Sequence, residues 1–263
     1  MNTANSVIDP NSHQSENGFE SRDAEFEALT RKLAERELEL ATLENELSVF
    51  EKRYAETVGV LFAELDALEA EIARVLLRLH PEEAYREGFR RAEKKAQASQ
   101  DAVNDKTKQG EKQAYIPTKE IKNLYRKVAK AIHPDLSVNE EERAFRTRLM
   151  ARANAAYKIG DKQALEQILD EWEHRDEKSM FREEKLSGPD LLERKILQIK
   201  ARLNAIERKI EELKQSELYQ LLKKVEQADR EKRDLLGDMV KDLREKILCA
   251  KQLLESLKEQ ERG

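Results

Sequence analysis

Cysteine occurs once in the 263 residues, as Cys249, so no intramolecular disulfide can form. It lies in a helical run and reads as a small, partly buried residue. Glycine is scarce at 8 and proline at 5, and aromatic residues make up 5% of the chain. So few breakers exclude a fold built from many short strands and turns, and so few aromatics argue against a large globular core. No stretch approaches the roughly 20 apolar residues that cross a bilayer, so no membrane insertion is expected. The opening MNTANSVIDPNSHQSENGFE has no apolar core of the kind that makes a signal peptide, and the expected location is cytoplasmic. An excess of one charge is also missing. The 49 bases against 54 acids leave a net charge of -5, which gives no bulk attraction to nucleic acid or membrane. The shortage of aromatics to stack on bases points the same way, and no nucleic-acid partner is expected.

Chemistry-bearing patterns are equally sparse. The four histidines, His13, His80, His133 and His174, lie far apart, and with one cysteine they offer no zinc-binding spacing. Neither a GxxxxGK-S/T nor a GxGxxG loop occurs. Acid pairs recur on solvated helix faces throughout and single out no dyad. The chain is therefore expected to hold no metal or cofactor, and to have no catalytic site of its own.

What remains is helix. Charged and hydrophobic residues each make up 39% of the chain, with Leu, Glu, Lys, Arg and Ala abundant. The expected fold is all-α: a small helical hairpin module flanked by long helices of coiled-coil type. Residues 1–20 carry almost no apolar side chains and are expected to be disordered. Residues 21–103 form an N-terminal helical, coiled-coil segment. Its apolar positions include Leu33, Leu40, Leu43, Leu47, Phe50, Tyr54 and Val58, then Leu61, Leu65, Leu68, Ile72, Val75 and Leu79. The three-four-four steps from Leu47 to Val58 are a stutter, which relaxes a left-handed supercoil. His80-Pro81-Glu82 ends this helix, and a second helix over 82–102 can fold back on it. Residues 104–116 are a polar linker, 117–174 the hairpin module, and 175–188 a second linker. Residues 189–262 carry another heptad run, Leu192 to Leu213 and Leu236 to Leu257, with its phase lost between. A two-helix hairpin and one kinked helix both account for that break. The stripes need a covering partner, within the chain or as a homodimer through coiled coils.

The module holds the one dense signal. Thr118 is a helix N-cap. Lys119, Lys122, Arg126 and Lys130 then fall in one stripe about 80° wide, bordered by Lys127. Ile121, Leu124, Tyr125, Val128 and Ile132 fall opposite. The helix stops at His133-Pro134-Asp135, because proline cannot extend the ladder and disfavours a helical residue before it. Asp135 is expected to project, exposed, where it can pair with a partner's arginine. Ser137-Val138-Asn139-Glu140 matches a capping box opening a helix over 140–158. Gly160 serves as its C-terminal cap and Asp161 as the next N-cap. Leu165, Ile168, Leu169 and Trp172 line a short third helix.

Tyr125-Arg126-Lys127, then Val128-Ala129, then three residues and His133-Pro134-Asp135, resembles the J-domain of DnaJ-type co-chaperones. Asn154-Ala155-Ala156-Tyr157 extends the resemblance. It implies a protein that binds a DnaK-type chaperone and stimulates its ATP hydrolysis. In that family the basic face and the HPD loop dock on the ATP-bound chaperone. Carried over, those roles fall to Lys122, Arg126, Lys127, Lys130, His133, Pro134 and Asp135, with Tyr125, Val128, Ala129 and Tyr157 as scaffold. The family's first helix is missing from its usual place, where Gln113-Ala114-Tyr115-Ile116-Pro117 stands. Either the core is truncated or the helix over 82–102 packs there. The Gly/Phe-rich linker and cysteine-rich zinc domain of full-length DnaJ are absent too. The flanks would recruit a client, of identity not implied by the motif, or oligomerise. The alternative is a structural coiled-coil scaffold with a degenerate J-like interaction module.

Overall fold

A computed structural model describes residues 11–108, 115–175 and 189–262, with the side chains of 11–21, 105–108 and 189 left aside. Among the described residues the chain is all-α, without a strand. Helix α1 spans Asn11–Tyr54, passes through one π-helical turn, Ala55–Gly59, and continues as α2, Val60–Leu79. The π turn falls at the end of the sequence stutter. It absorbs the extra residue without breaking the helix and keeps Phe50 and Val58 in one buried cluster. The helix begins at Asn11, ahead of the boundary expected at residue 21, since extending a formed helix costs little beside nucleating one. Residues 1–10 of the expected disordered segment lie outside the described ones.

The chain divides into two compact units. One comprises residues 46–114 and 214–263. Here α2 stops at Leu79, with His80 leaving helical geometry ahead of Pro81. Helix α3, Glu83–Lys108, returns antiparallel along α2. Lys95 bonds Glu69 at 3.0 Å and the buried carboxylate of Asp66 at 2.8 Å, and Ser99 donates to Asp66 as well. The helix expected over 82–102 therefore packs on α2, where its apolar side has a partner. Of the linker expected over 104–116, residues 104–108 extend α3 and 109–114 lie outside the described residues.

The other unit comprises residues 1–45 and 115–213. It holds α4 (Lys119–Ile132), a short 3-10 turn (Pro134–Leu136), α5 (Glu140–Ile159) and α6 (Lys162–Glu173). Most of α7, Pro189–Gln215, also belongs to it. Helices α4 and α5 run antiparallel, with Tyr125 donating to Asn154 at 2.6 Å and Arg146 reaching Ala131 O at 2.9 Å. Thr118 caps α4, and Gly160, at φ 70°, ends α5. A side chain at Gly160 would also run into the ring of Tyr115. Asp161 caps α6 as expected. The capping frame at α5 differs from the expected one. Asn139 is the N-cap, accepting from Glu142 N–H, while the Glu142 carboxylate accepts from Val138 N–H.

Residues 189–262 form neither a hairpin nor one kinked helix. They form α7, α8 (Glu217–Arg230) and α9 (Leu235–Arg262). Breaks at Ser216, which caps α8, and at Lys232, with φ 59°, account for the lost heptad phase. Helix α7 runs parallel to α1, tied by Arg22–Glu193, Lys200–Glu25 and Arg36–Glu207. Within the other unit α9 runs parallel to α2, tied by Lys251–Glu64, Lys258–Glu71 and Arg78–Glu261. Leu40, Leu43, Leu203, Ile206 and Ile210 are buried in the single chain, and Leu65 and Leu68 are packed but partly exposed. Most of the stripe residues are thus covered within one chain. The residues of the linker expected over 175–188 lie outside the described residues beyond Arg175. Cys249 is exposed rather than partly buried.

Candidate functional site

The core beneath the site is made by three helices of the module and one face of α1. Ile121, Tyr125, Val128, Ala129 and Ile132 of α4 meet Leu149, Ala153, Ala156 and Tyr157 of α5 and Leu165, Ile168 and Trp172 of α6. Ala34, Leu38 and Ala41 of α1 complete the cluster. Two small residues let α1 approach closely, and Leu38 contributes about 1.5–3 kcal/mol by burial. Thr42 and Tyr157 share a hydrogen bond of 2.7 Å, and Asn45 donates to Tyr115 O at 2.8 Å. The rings of Tyr125 and Tyr157 lie 4.6 Å apart. Burial pushes the Tyr125 phenol far above its ordinary range, so it remains neutral. Thus α1, not the helix over 82–102, fills the place in the core left open by the sequence.

With the apolar residues of α4 turned inward, Arg126, Lys127 and Lys130 are exposed and Lys122 is half-buried. Among the described residues no ion pair engages these four, and Arg126 alone has a side-chain partner, Asn123 at 3.3 Å. Glu120, the one acid in the helix, is paired with Lys162. The stripe is an uncompensated positive face.

At its end the chain turns at His133-Pro134-Asp135. His133 is only 3% exposed, and its partners fix its state. Its Nδ1 accepts from Asp135 N–H at 3.1 Å, which places the ring proton on Nε2, where it donates to Glu37 Oε1 at 3.0 Å. Glu37, 5% exposed, also receives Arg202 of α7 through Nε at 2.8 Å and an Nη at 2.7 Å. Burial opposes ionisation of Glu37, but His133 and the Arg202 guanidinium outweigh it and hold the carboxyl below the usual range. From the other side the buried Arg146 pairs with Glu142 and donates to Ala131 O at 2.9 Å and His133 O at 3.3 Å. These bonds satisfy carbonyls at the end of α4 that the helix itself cannot. The Arg146 guanidinium also lies 4.2 Å from the centre of the Trp172 ring. Burial lowers its pKa, against the pull of Glu142.

Asp135 is recessed rather than fully exposed, with 16% of its side chain accessible. Among the described residues its carboxylate meets only Arg143 at 3.9 Å and His133 Nδ1 at 4.0 Å, both beyond hydrogen-bond length. It borders an open groove of about 500 Å³ whose walls include Pro134, Arg143, Thr147 and Met150, with Gln198, Ala201 and Arg202 of α7 opposite.

The structure places the stripe on the outer face of α4 and the turn at its end, where His133 serves as a buried strut. Glu37, Arg146 and Arg202 were missed. Glu142 and Arg146 stand four apart on a helix, a legible pairing signal. Glu37 and Arg202 lie 96 and 69 positions from His133, and no local pattern marks them. Among the described residues no group of three or more His, Cys, Asp or Glu side chains is placed to hold a metal ion, and no helix is long and apolar enough to cross a membrane. Comparison with protein-family models, with curated proteins and with solved structures gives no match.

Proposed function

We propose that this chain is a J-domain-type co-chaperone that binds the ATP-bound state of a DnaK-type chaperone and accelerates hydrolysis in that partner. The observation that carries this reading is Asp135: a carboxylate with no hydrogen bond from the described side chains, fixed at the end of a basic stripe that no described acid pairs. Lys122, Arg126, Lys127 and Lys130 supply a field that draws an acidic surface. Pro134 stops the helix, and the His133 strut sets the angle at which Asp135 meets a guanidinium. The chain contributes no reacting group, and its effect lies in favouring the hydrolysing conformation of the partner through differential binding. The helices outside the module recruit a client or fix the assembly, and the setting is the cytoplasm. Steady-state ATP turnover by a DnaK-type chaperone, with and without the full chain, tests the reading: turnover rises if it holds and is unchanged if it does not.

A second reading is favoured by the burial of His133. A histidine bonded to Glu37 is what a scaffold would retain after losing its partner, with the turn kept for packing alone. The same assay separates the two, because a scaffold binds no chaperone in an ATP-dependent way.

A further inference from the structure

The groove beside Asp135 has a second wall that the module does not provide. Gln198, Ala201 and Arg202 of α7 face Pro134 and Asp135 across it. At Arg143 and Gln198 it adjoins a smaller hollow bordered by Glu140, Arg194 and Lys195. The balance of charge there is positive. Glu37 is already neutralised by Arg202 and sits at the floor. Among the described residues the Arg143 guanidinium pairs with Asp135 alone, at 3.9 Å, and no ion pair engages Arg194 or Lys195. Burial pushes the Lys195 ammonium below its usual range, with Glu142 attracting and Arg146 repelling it. Positive charge therefore continues past the turn, from the α4 stripe onto α5 and α7.

We propose that α7 is the second half of the docking surface, and that the groove between the His133-Pro134-Asp135 turn and α7 receives an acidic segment of the chaperone, held by Arg143, Arg194 and Lys195. The inference rests on the co-chaperone reading and adds to it a contact outside the J-like module. It makes α7 an element that selects among chaperone partners, since a partner lacking acids at this place would meet Arg194 and Lys195 with nothing to pair them.

Arg194 and Ala201 are both exposed, so substitution there leaves the core intact. The test measures the affinity of the full chain for an ATP-bound DnaK-type chaperone at low and high salt. Arg194→Glu is expected to weaken binding roughly fivefold and to flatten its salt dependence, while Arg194→Lys stays near wild type. Ala201→Trp, which fills the groove without altering charge, is expected to weaken binding by a similar factor at every salt concentration. Circular dichroism monitors the fold of each variant. Wild-type affinity in Arg194→Glu and Ala201→Trp, alongside a loss in Arg126→Glu, would overturn the role of α7 and leave the co-chaperone reading standing. A chaperone that ignores the wild-type chain would overturn both.

Discussion

Glu37 and His133 meet through a hydrogen bond of 3.0 Å although 96 residues separate them, and both are buried. The bond makes the turn of the module depend on a helix outside it. Arg202 of α7 adds a second tie to the same Glu37 oxygen. The site is thus held by two distant segments, and its rigidity is a property of the unit rather than of the turn.

Acid should loosen this tie. The Glu37 carboxyl is held below its ordinary range in the folded chain, so its stabilising effect is complete above that range. The effect is lost as pH falls through the lowered folded-state value. Replacing Glu37 by Gln removes that contribution. Urea midpoints measured from neutral to acidic pH should show a shallower acid limb in Glu37→Gln than in wild type. Parallel curves would contradict the assignment.

Arg146→Ala is expected to destabilise the unit by about 3–5 kcal/mol, because it leaves Glu142 buried without its cation and strips the end of α4 of a donor. Chemical denaturation measures this directly. A loss under about 1 kcal/mol would mean that water replaces the guanidinium at little cost.

Reversing Arg126 and Lys130 to Glu should slow association with the chaperone and leave the melting temperature almost unchanged, since both side chains are exposed and unpaired with acids among the described residues. Raising salt should slow the wild type in the same way. Association rates indifferent to both changes would reduce the stripe to a solvated face.

The intact chain should be monomeric by light scattering at tens of micromolar. The expectation of a homodimer arose from stripes that needed covering, and α1 with α7, and α2 with α9, cover most of them within one chain. A dimer would point to the partly exposed Leu65, Ile72, Leu76 and Leu253, which border an apolar groove between α2 and α9.

Much of this was legible in the sequence because it is local. Helix periods, the caps at Thr118 and Asp161, the stop at Pro81, and the stutter that became a π turn all depend on residues within a few positions of one another. The stripe of Lys122, Arg126 and Lys130 is likewise a property of one helix. The rest depends on which helices meet. Nothing in the heptads says that they pair in parallel inside one chain, or that Ala34, Leu38 and Ala41 enter the core of the module. The burial of His133 follows from that packing. A turn ending a basic helix looks open until α1 and α7 are placed beside it, which is why Asp135 was expected to be more exposed than it is.

The most direct test of the account replaces Asp135 by Asn and measures the stimulated ATP turnover of a DnaK-type chaperone. The Asp135 carboxylate accepts no hydrogen bond from the described side chains, so the change should shift folding stability by less than about 0.5 kcal/mol. Stimulation should be lost, because an amide forfeits a charge-assisted pair worth roughly 1.5–3 kcal/mol. Undiminished stimulation by a folded Asp135→Asn chain would contradict the mechanism.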